Sequence, residues 1–145
     1  MGELYQQAIL AHNRAPLNRG TLHPATHSAT GANPICGDTV TVTLRVVDDA
    51  IEAIRFDGEG CAISRASASM MTEAVRGLTG AEIESLYAQL DRLIRAKPVD
   101  DVASLGELSV LEGLRAFPTR IRCATLPWKA LLAALDNTSD PVTTE

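Results

Sequence analysis

The chain has 145 residues, of which 46% are hydrophobic, 21% charged and only 3% aromatic, with a formal net charge of −5. That length suits one domain with a sizeable core, which Ala, Leu, Ile and Val must build. An acidic balance without clustered Lys and Arg excludes a nucleic-acid partner, and one Trp, two Tyr and two Phe are too few for a base-stacking platform.

Gly2 to His12 reads as a short helix with Leu4, Tyr5, Ala8 and Ile9 on one face. Glu3, Gln6 and Gln7 occupy the stretch where the apolar part of an export signal would sit, so a cytoplasmic chain with reduced thiols is expected. Asn13 to Gly20 is turn-rich, with Pro16, Asn18 and Gly20 as breakers. Thr21 to Asn33 is polar and rich in small residues, which leaves a loop and an irregular edge strand equally open. Thr39 to Val46 alternates, with Val40, Val42, Leu44 and Val46 on one side, the pattern of a half-buried strand. Asp48-Asp49 makes a turn and Ile51 to Asp57 a second strand, so the two form a hairpin.

After Gly58-Glu59-Gly60 the period becomes helical. Ala62 to Arg76 carries Ile63, Ala66, Met70 and Ala74, and Gly77 is a stop signal. Thr79-Gly80-Ala81-Glu82 fits a capping box for a helix running to about Arg95. Leu105, Leu108, Leu111 and Leu114 mark a shorter helix that faces the core, and Phe117-Pro118 ends it. Arg120 to Leu135 is the last helix, with Pro127 near its first turn. Its apolar run, Ala130 to Leu135, is far too short to cross a membrane. A hairpin followed by helices is α+β order. The expected architecture is a small antiparallel sheet of about three strands with four to five helices packed against it. It forms one domain, 1–145, with a frayed tail from about 137.

Three cysteines is an odd number that cannot close into disulfide pairs. Cys36 lies in the turn-forming run Asn33-Pro34-Ile35-Cys36-Gly37-Asp38, where Gly37 lets a thiolate and the Asp38 carboxylate aim at one point. Cys61 opens a helix, and the unpaired N–H groups there favour thiolate. Cys123 falls in the first turn of the last helix, after Arg120 and Arg122. Each cysteine is at an element end beside glycine, a charge or a turn, unlike buried filler thiols among aliphatics. No pair is in CxxC register, so spacing alone leaves a shared metal site and scattered thiols both open. His12, His23 and His27 read as ordinary hydrogen-bonding residues, with His23 and His27 of some interest because they precede the Cys36 loop. Ser64, Ser67 and Ser69 show no Ser-His-Asp pattern and read as packing or surface positions. Met70 and Met71 read as core.

Four stretches resemble the IscU/SufU (NifU N-terminal-like) family of iron–sulfur cluster assembly proteins. They are Ile9 to His12 continuing through Pro16-Leu17-Asn18-Arg19-Gly20; Asn33-Pro34-Ile35-Cys36-Gly37-Asp38; Gly58-Glu59-Gly60-Cys61-Ala62-Ile63-Ser64; and Phe117 to Leu126 around Arg122-Cys123. Together they reach across nearly the whole chain. The chain is more similar to the SufU type. Arg122 stands where the IscU type has a His before the last Cys, and Phe117-Pro118-Thr119-Arg120 stands where that type has a Leu-Pro-Pro-Val-Lys chaperone motif. The segment around Lys97 to Leu114 looks like the SufU-type insertion.

The resemblance implies zinc on Cys36, Asp38, Cys61 and Cys123, with iron or a transient Fe–S cluster on the same ligands as the alternative. It implies a SufS-type pyridoxal-phosphate cysteine desulfurase as partner, with downstream Fe–S assembly proteins beyond it. The activity implied is that of a sulfurtransferase: Cys36 accepts sulfur from the partner's persulfide, and Arg120 steadies the thiolate or persulfide. The alternative is a scaffold on which a cluster is assembled and passed on.

Overall fold

In a computed structural model, residues 2–35, 37–136 and 142–143 are described. The expected hairpin is present: β2 spans Asp38–Val47, β3 spans Ala50–Glu59, and the two pair antiparallel. Val40, Val42 and Leu44 of β2 are buried, as the alternation requires. Asp48 and Asp49 join the strands with φ of 52° and 66°. Two positive φ values in a two-residue loop match the right-handed twist of an antiparallel ribbon, and Asp tolerates that region better than most side chains.

β1, His27–Asn33, settles the segment whose sequence was ambiguous. It pairs antiparallel with β2 from His27 opposite Leu44 to Asn33 opposite Asp38. On its other side the two-residue β4, Val142–Thr143, runs parallel beside Gly31 and Ala32, so the order is β3-β2-β1-β4. The expected frayed tail otherwise lies outside the described residues.

Helix α1 is Gly2–Arg14, α2 Ala62–Ala74 and α3 Gly80–Ile94. The capping box is complete: Glu82 N–H donates to Thr79 Oγ1 at 3.3 Å, and Thr79 N–H donates to Glu82 Oε1 at 3.0 Å. The leucine segment differs from the expected helix. Val102–Ala116 is 3₁₀, broken at Gly106, where φ is 55°. Leucine at every third position is the 3₁₀ repeat, not the α repeat, and all four leucines are buried. The last helix, α4, is Ile121–Leu135; Arg120 belongs instead to a preceding 3₁₀ turn, Pro118–Arg120. Pro127 lies inside α4 and offers no N–H to the Cys123 carbonyl one turn back.

α4 packs on β1 and β2, and α2 packs on α4. Gly31 permits this close approach, since a Cβ there would meet Leu126 Cδ1 at 2.9 Å. The order and packing match the α+β expectation of a small antiparallel sheet with helices packed against it.

Candidate metal centre

Three element ends meet at one corner of the sheet. Asp38 is the first residue of β2, Cys61 is the residue that caps α2 at its N-terminus, and Cys123 lies in the first turn of α4. One donor atom from each lies within 4.8 Å of the others. Asp38 and Cys123 are buried, and Cys61 is partly exposed.

Local sequence explains the meeting. Gly58 has φ of 137°, and a Cβ there would lie 2.0 Å from the Thr39 carbonyl oxygen, so only glycine lets β3 run this close to β2. Two residues on, Gly60 faces the Asp38 side chain; a Cβ would stand 2.8 Å from Asp38 Oδ1. The carboxylate fills that space and accepts the Cys61 N–H at 2.7 Å. Cys61 N–H is thus satisfied by a charged acceptor at the positive end of α2. Cys61 Sγ stands 3.7 Å from Asp38 Oδ2. A tetrahedral zinc with ordinary Zn–S and Zn–O bonds spaces a sulfur and an oxygen ligand by about 3.5 Å, so this pair fits one edge of such a site. Two thiols and a carboxylate form a donor set that zinc accepts, and ferrous iron or a cluster edge could use the same sulfurs.

Of the residues expected at the site, the structure therefore brings Asp38, Cys61 and Cys123 together. Cys36 lies outside the described residues. Arg120 is three residues before Cys123 and borders a hollow of about 370 Å³ with Tyr5, Cys61, Ile63 and Phe117. A second hollow, of about 530 Å³, is lined by Ile35, Thr119, Arg120 and Arg122, so Arg120 forms the wall between them. Ile35 and Phe117 are large apolar residues at 69% and 48% exposure on this rim.

Two residues near the site were not legible as such. Tyr5 stacks on Phe117 with ring centroids 6.3 Å apart. Burial pushes its phenol above the ordinary 10; negative charge at Cys61 and Cys123 adds to this, and Arg120 opposes it. Asn33, opposite Asp38, is fully buried. The run Asn33-Pro34 signalled only a turn.

His27 and His12 are elsewhere. His27 pairs with Leu44, at the opposite end of β1 from Asn33 and Asp38, so it is remote from the donor set. His12 is buried and bridges elements: Nδ1 is 2.6 Å from Ser69 Oγ and Nε2 is 2.9 Å from Glu107 Oε1. The Leu17 N–H also donates to Ser69 Oγ, at 2.8 Å. This Ser-His-Glu chain was invisible in the sequence. Ser69 is fully buried, so it ties α1, α2 and the 3₁₀ segment together and offers no nucleophile.

Comparisons with known proteins show the family. The NifU-like N-terminal domain model matches residues 4–124. The zinc-dependent sulfurtransferase SufU of Bacillus subtilis is 41% identical over 88% of this chain and 86% of its own. The iron–sulfur cluster assembly scaffold protein IscU of Thermotoga maritima is 36% identical over 95% and 96%. Among solved structures, a proposed SUF-system iron–sulfur cluster assembly scaffold from Fervidobacterium islandicum superposes with a TM-score of 0.85 at 31% identity, covering 92% of this chain and 97% of that one.

Proposed function

Since this chain belongs to the NifU-like N-terminal domain family, we propose that it is a zinc-dependent sulfurtransferase of iron–sulfur cluster assembly. It takes sulfur from the persulfide of a SufS-type cysteine desulfurase and passes it to downstream assembly proteins. Cys36, Asp38, Cys61 and Cys123 hold the zinc. The observation that carries this reading is the convergence of Asp38, Cys61 and Cys123 within 4.8 Å beside an open hollow walled by Arg120. The relative bearing the sulfurtransferase name, at 41% identity, supports the same reading.

Zinc, when bound, keeps its ligating sulfurs deprotonated at neutral pH. The chain's own residues do the rest. Cys36, in the turn-forming sequence Cys36-Gly37-Asp38, is the acceptor: its thiolate attacks the outer sulfur of the partner's persulfide. A new S–S bond forms on Cys36, the partner's S–S bond breaks, and the partner's cysteine leaves as thiolate. Arg120 stabilises the anionic sulfur on the receiving side. Exposed Ile35 and Phe117 give the partner an apolar rim on which to seat.

The test is sulfide release from L-cysteine by the desulfurase, without iron, with and without the zinc-loaded protein. A large rise in turnover that vanishes in Cys36→Ala, while the partner's own persulfide persists, is expected. No rise would transfer the assignment to a scaffold, the role named for the IscU relatives. Sulfur trapped on Cys61 instead would overturn the choice of Cys36.

A further inference from the structure

Asn33 carries an amide with no evident use. Its side chain is fully buried, yet Nδ2 has no hydrogen-bond partner among the described residues. A buried donor left unpaired is uncommon enough to require a reason. Amide orientation is not open to reversal here. Oδ1 accepts the Ile35 N–H at 3.3 Å, so exchanging the two atoms would set donor against donor.

The register locates the group. Asn33 is directly opposite Asp38, and directly opposed residues share a sheet face with Cβ atoms roughly 5 Å apart. That face is the one covered by α4. Gly31, two residues back on β1, lies against Leu126 and Ala130. One helical turn before Leu126 is Cys123, and one pleat beyond Gly31 is Asn33. The two walks, about 5 Å along α4 and about 7 Å along β1, end at the same corner. Asp38, across from Asn33, lies with Cys123 in the donor set.

We propose that the Asn33 side-chain amide donates a hydrogen bond to the Cys123 sulfur when Asp38, Cys61 and Cys123 hold their metal ion; this rests on the metal-centre reading above. A metal-bound thiolate keeps lone pairs that accept N–H groups, and such bonds orient the ligand and tune its charge. Cys123 is fully buried, so a donor to its sulfur comes from the protein, and the Asn33 amide is a buried donor at this corner. A carboxamide is neutral and does not titrate, so it supports the thiolate without adding charge to a corner that already holds a carboxylate. Asn33 is then a positioning residue, acting through Cys123.

The test uses the full chain loaded with NMR-active cadmium, with asparagine side chains isotope-labelled and the Asn33 signal identified by its disappearance in Asn33→Ser. On loading, one Asn33 amide proton should move downfield and show scalar coupling to cadmium through the N–H···S bond. If cadmium binds stoichiometrically and both protons keep their metal-free shifts without coupling, the proposal is overturned and the metal centre stands. If cadmium does not bind, both fall. Asn33→Ser keeps a neutral oxygen for the Ile35 N–H but removes the amide. It should weaken metal binding by roughly 10- to 100-fold and move the sulfur-to-cobalt charge-transfer band of the cobalt-loaded protein to longer wavelength. Wild-type affinity and an unmoved band would refute the role.

Discussion

Gly60→Ala isolates the Asp38 carboxylate without replacing any ligand. The Gly60 backbone is not in the left-handed region, so the new methyl acts by volume alone. It would meet Asp38 Oδ1 at 2.8 Å, where ordinary contact begins at 3.4 Å, so the oxygen must withdraw by about 0.6 Å (3.4 − 2.8). Its closest contact is Ser64 Oγ at 2.6 Å, but a serine can turn aside. Asp38 is buried and cannot move without stretching the 2.7 Å bond from the Cys61 N–H. A hydrogen bond to a charged acceptor contributes about 1.5–3 kcal/mol, which corresponds to a loss in zinc affinity of roughly 10- to 100-fold. Chelator competition measures that loss, and the Gly60→Ala/Ser64→Ala pair separates the two clashes. The double variant should remain as weak as Gly60→Ala. Recovery of wild-type affinity in the double variant, or no loss in the single one, would refute the assignment of the carboxylate as the sensitive part.

Ser69→Ala removes the acceptor of the Leu17 N–H and the partner of His12 Nδ1, and should cost about 1–3 kcal/mol in urea unfolding without changing zinc stoichiometry. Gly113→Ala would place a methyl 2.5 Å from Tyr5 Cγ, so the ring must leave Phe117; a loss of about 1–3 kcal/mol and a changed near-UV circular dichroism signal are expected. Tyr87 is pushed up to about 12, first by burial and then by Asp91, against the opposing pull of Arg95 and a Thr125 hydrogen bond. Its contribution to stability is full below pH 10 and is lost as pH rises from 10 through about 12, because the unfolded chain then releases its proton first. Urea midpoints should fall across that window, and less steeply in Tyr87→Phe.

Features that depend on neighbours in the chain were legible. The Asp48-Asp49 turn, the Thr79–Glu82 box and the Val40-Val42-Leu44 alternation are local statements, and each is realised in the fold. So are the glycines beside Asp38 and Cys61, although the spacing of the cysteines left a shared site open and the ligand set came only with the family resemblance. Features decided by distant partners were not. His27–Asn33 has little strand propensity of its own; it is a strand because β2 pairs along its whole length. His12 takes its role from residues 57 and 95 positions away. Leu105 to Leu114 announces its form through a spacing of three, which is shared with one face of an ordinary helix and so reads as either. Asn33 looked like a turn former, and its burial followed only from the register.

The attachment of α1 has a kinetic consequence for Cys61. At 13 residues α1 is too short to persist alone in water. Its buried contacts form one row, Tyr5, Ile9 and His12, helped by Asn13 Nδ2 donating to the Ala62 carbonyl at 2.9 Å, while Leu4 and Leu10 are 64% and 54% exposed. Such a segment opens as a unit at a smaller free energy than the sheet beneath it. When it lifts, Tyr5 withdraws from beside Cys61 and the hollow around the partly exposed sulfur loses a wall, with β1 and β2 still paired. The protein thereby has an internal clock for its own thiol: bulky alkylating reagents should reach Cys61 at the pace of hydrogen exchange in α1, not at the far slower pace of β2.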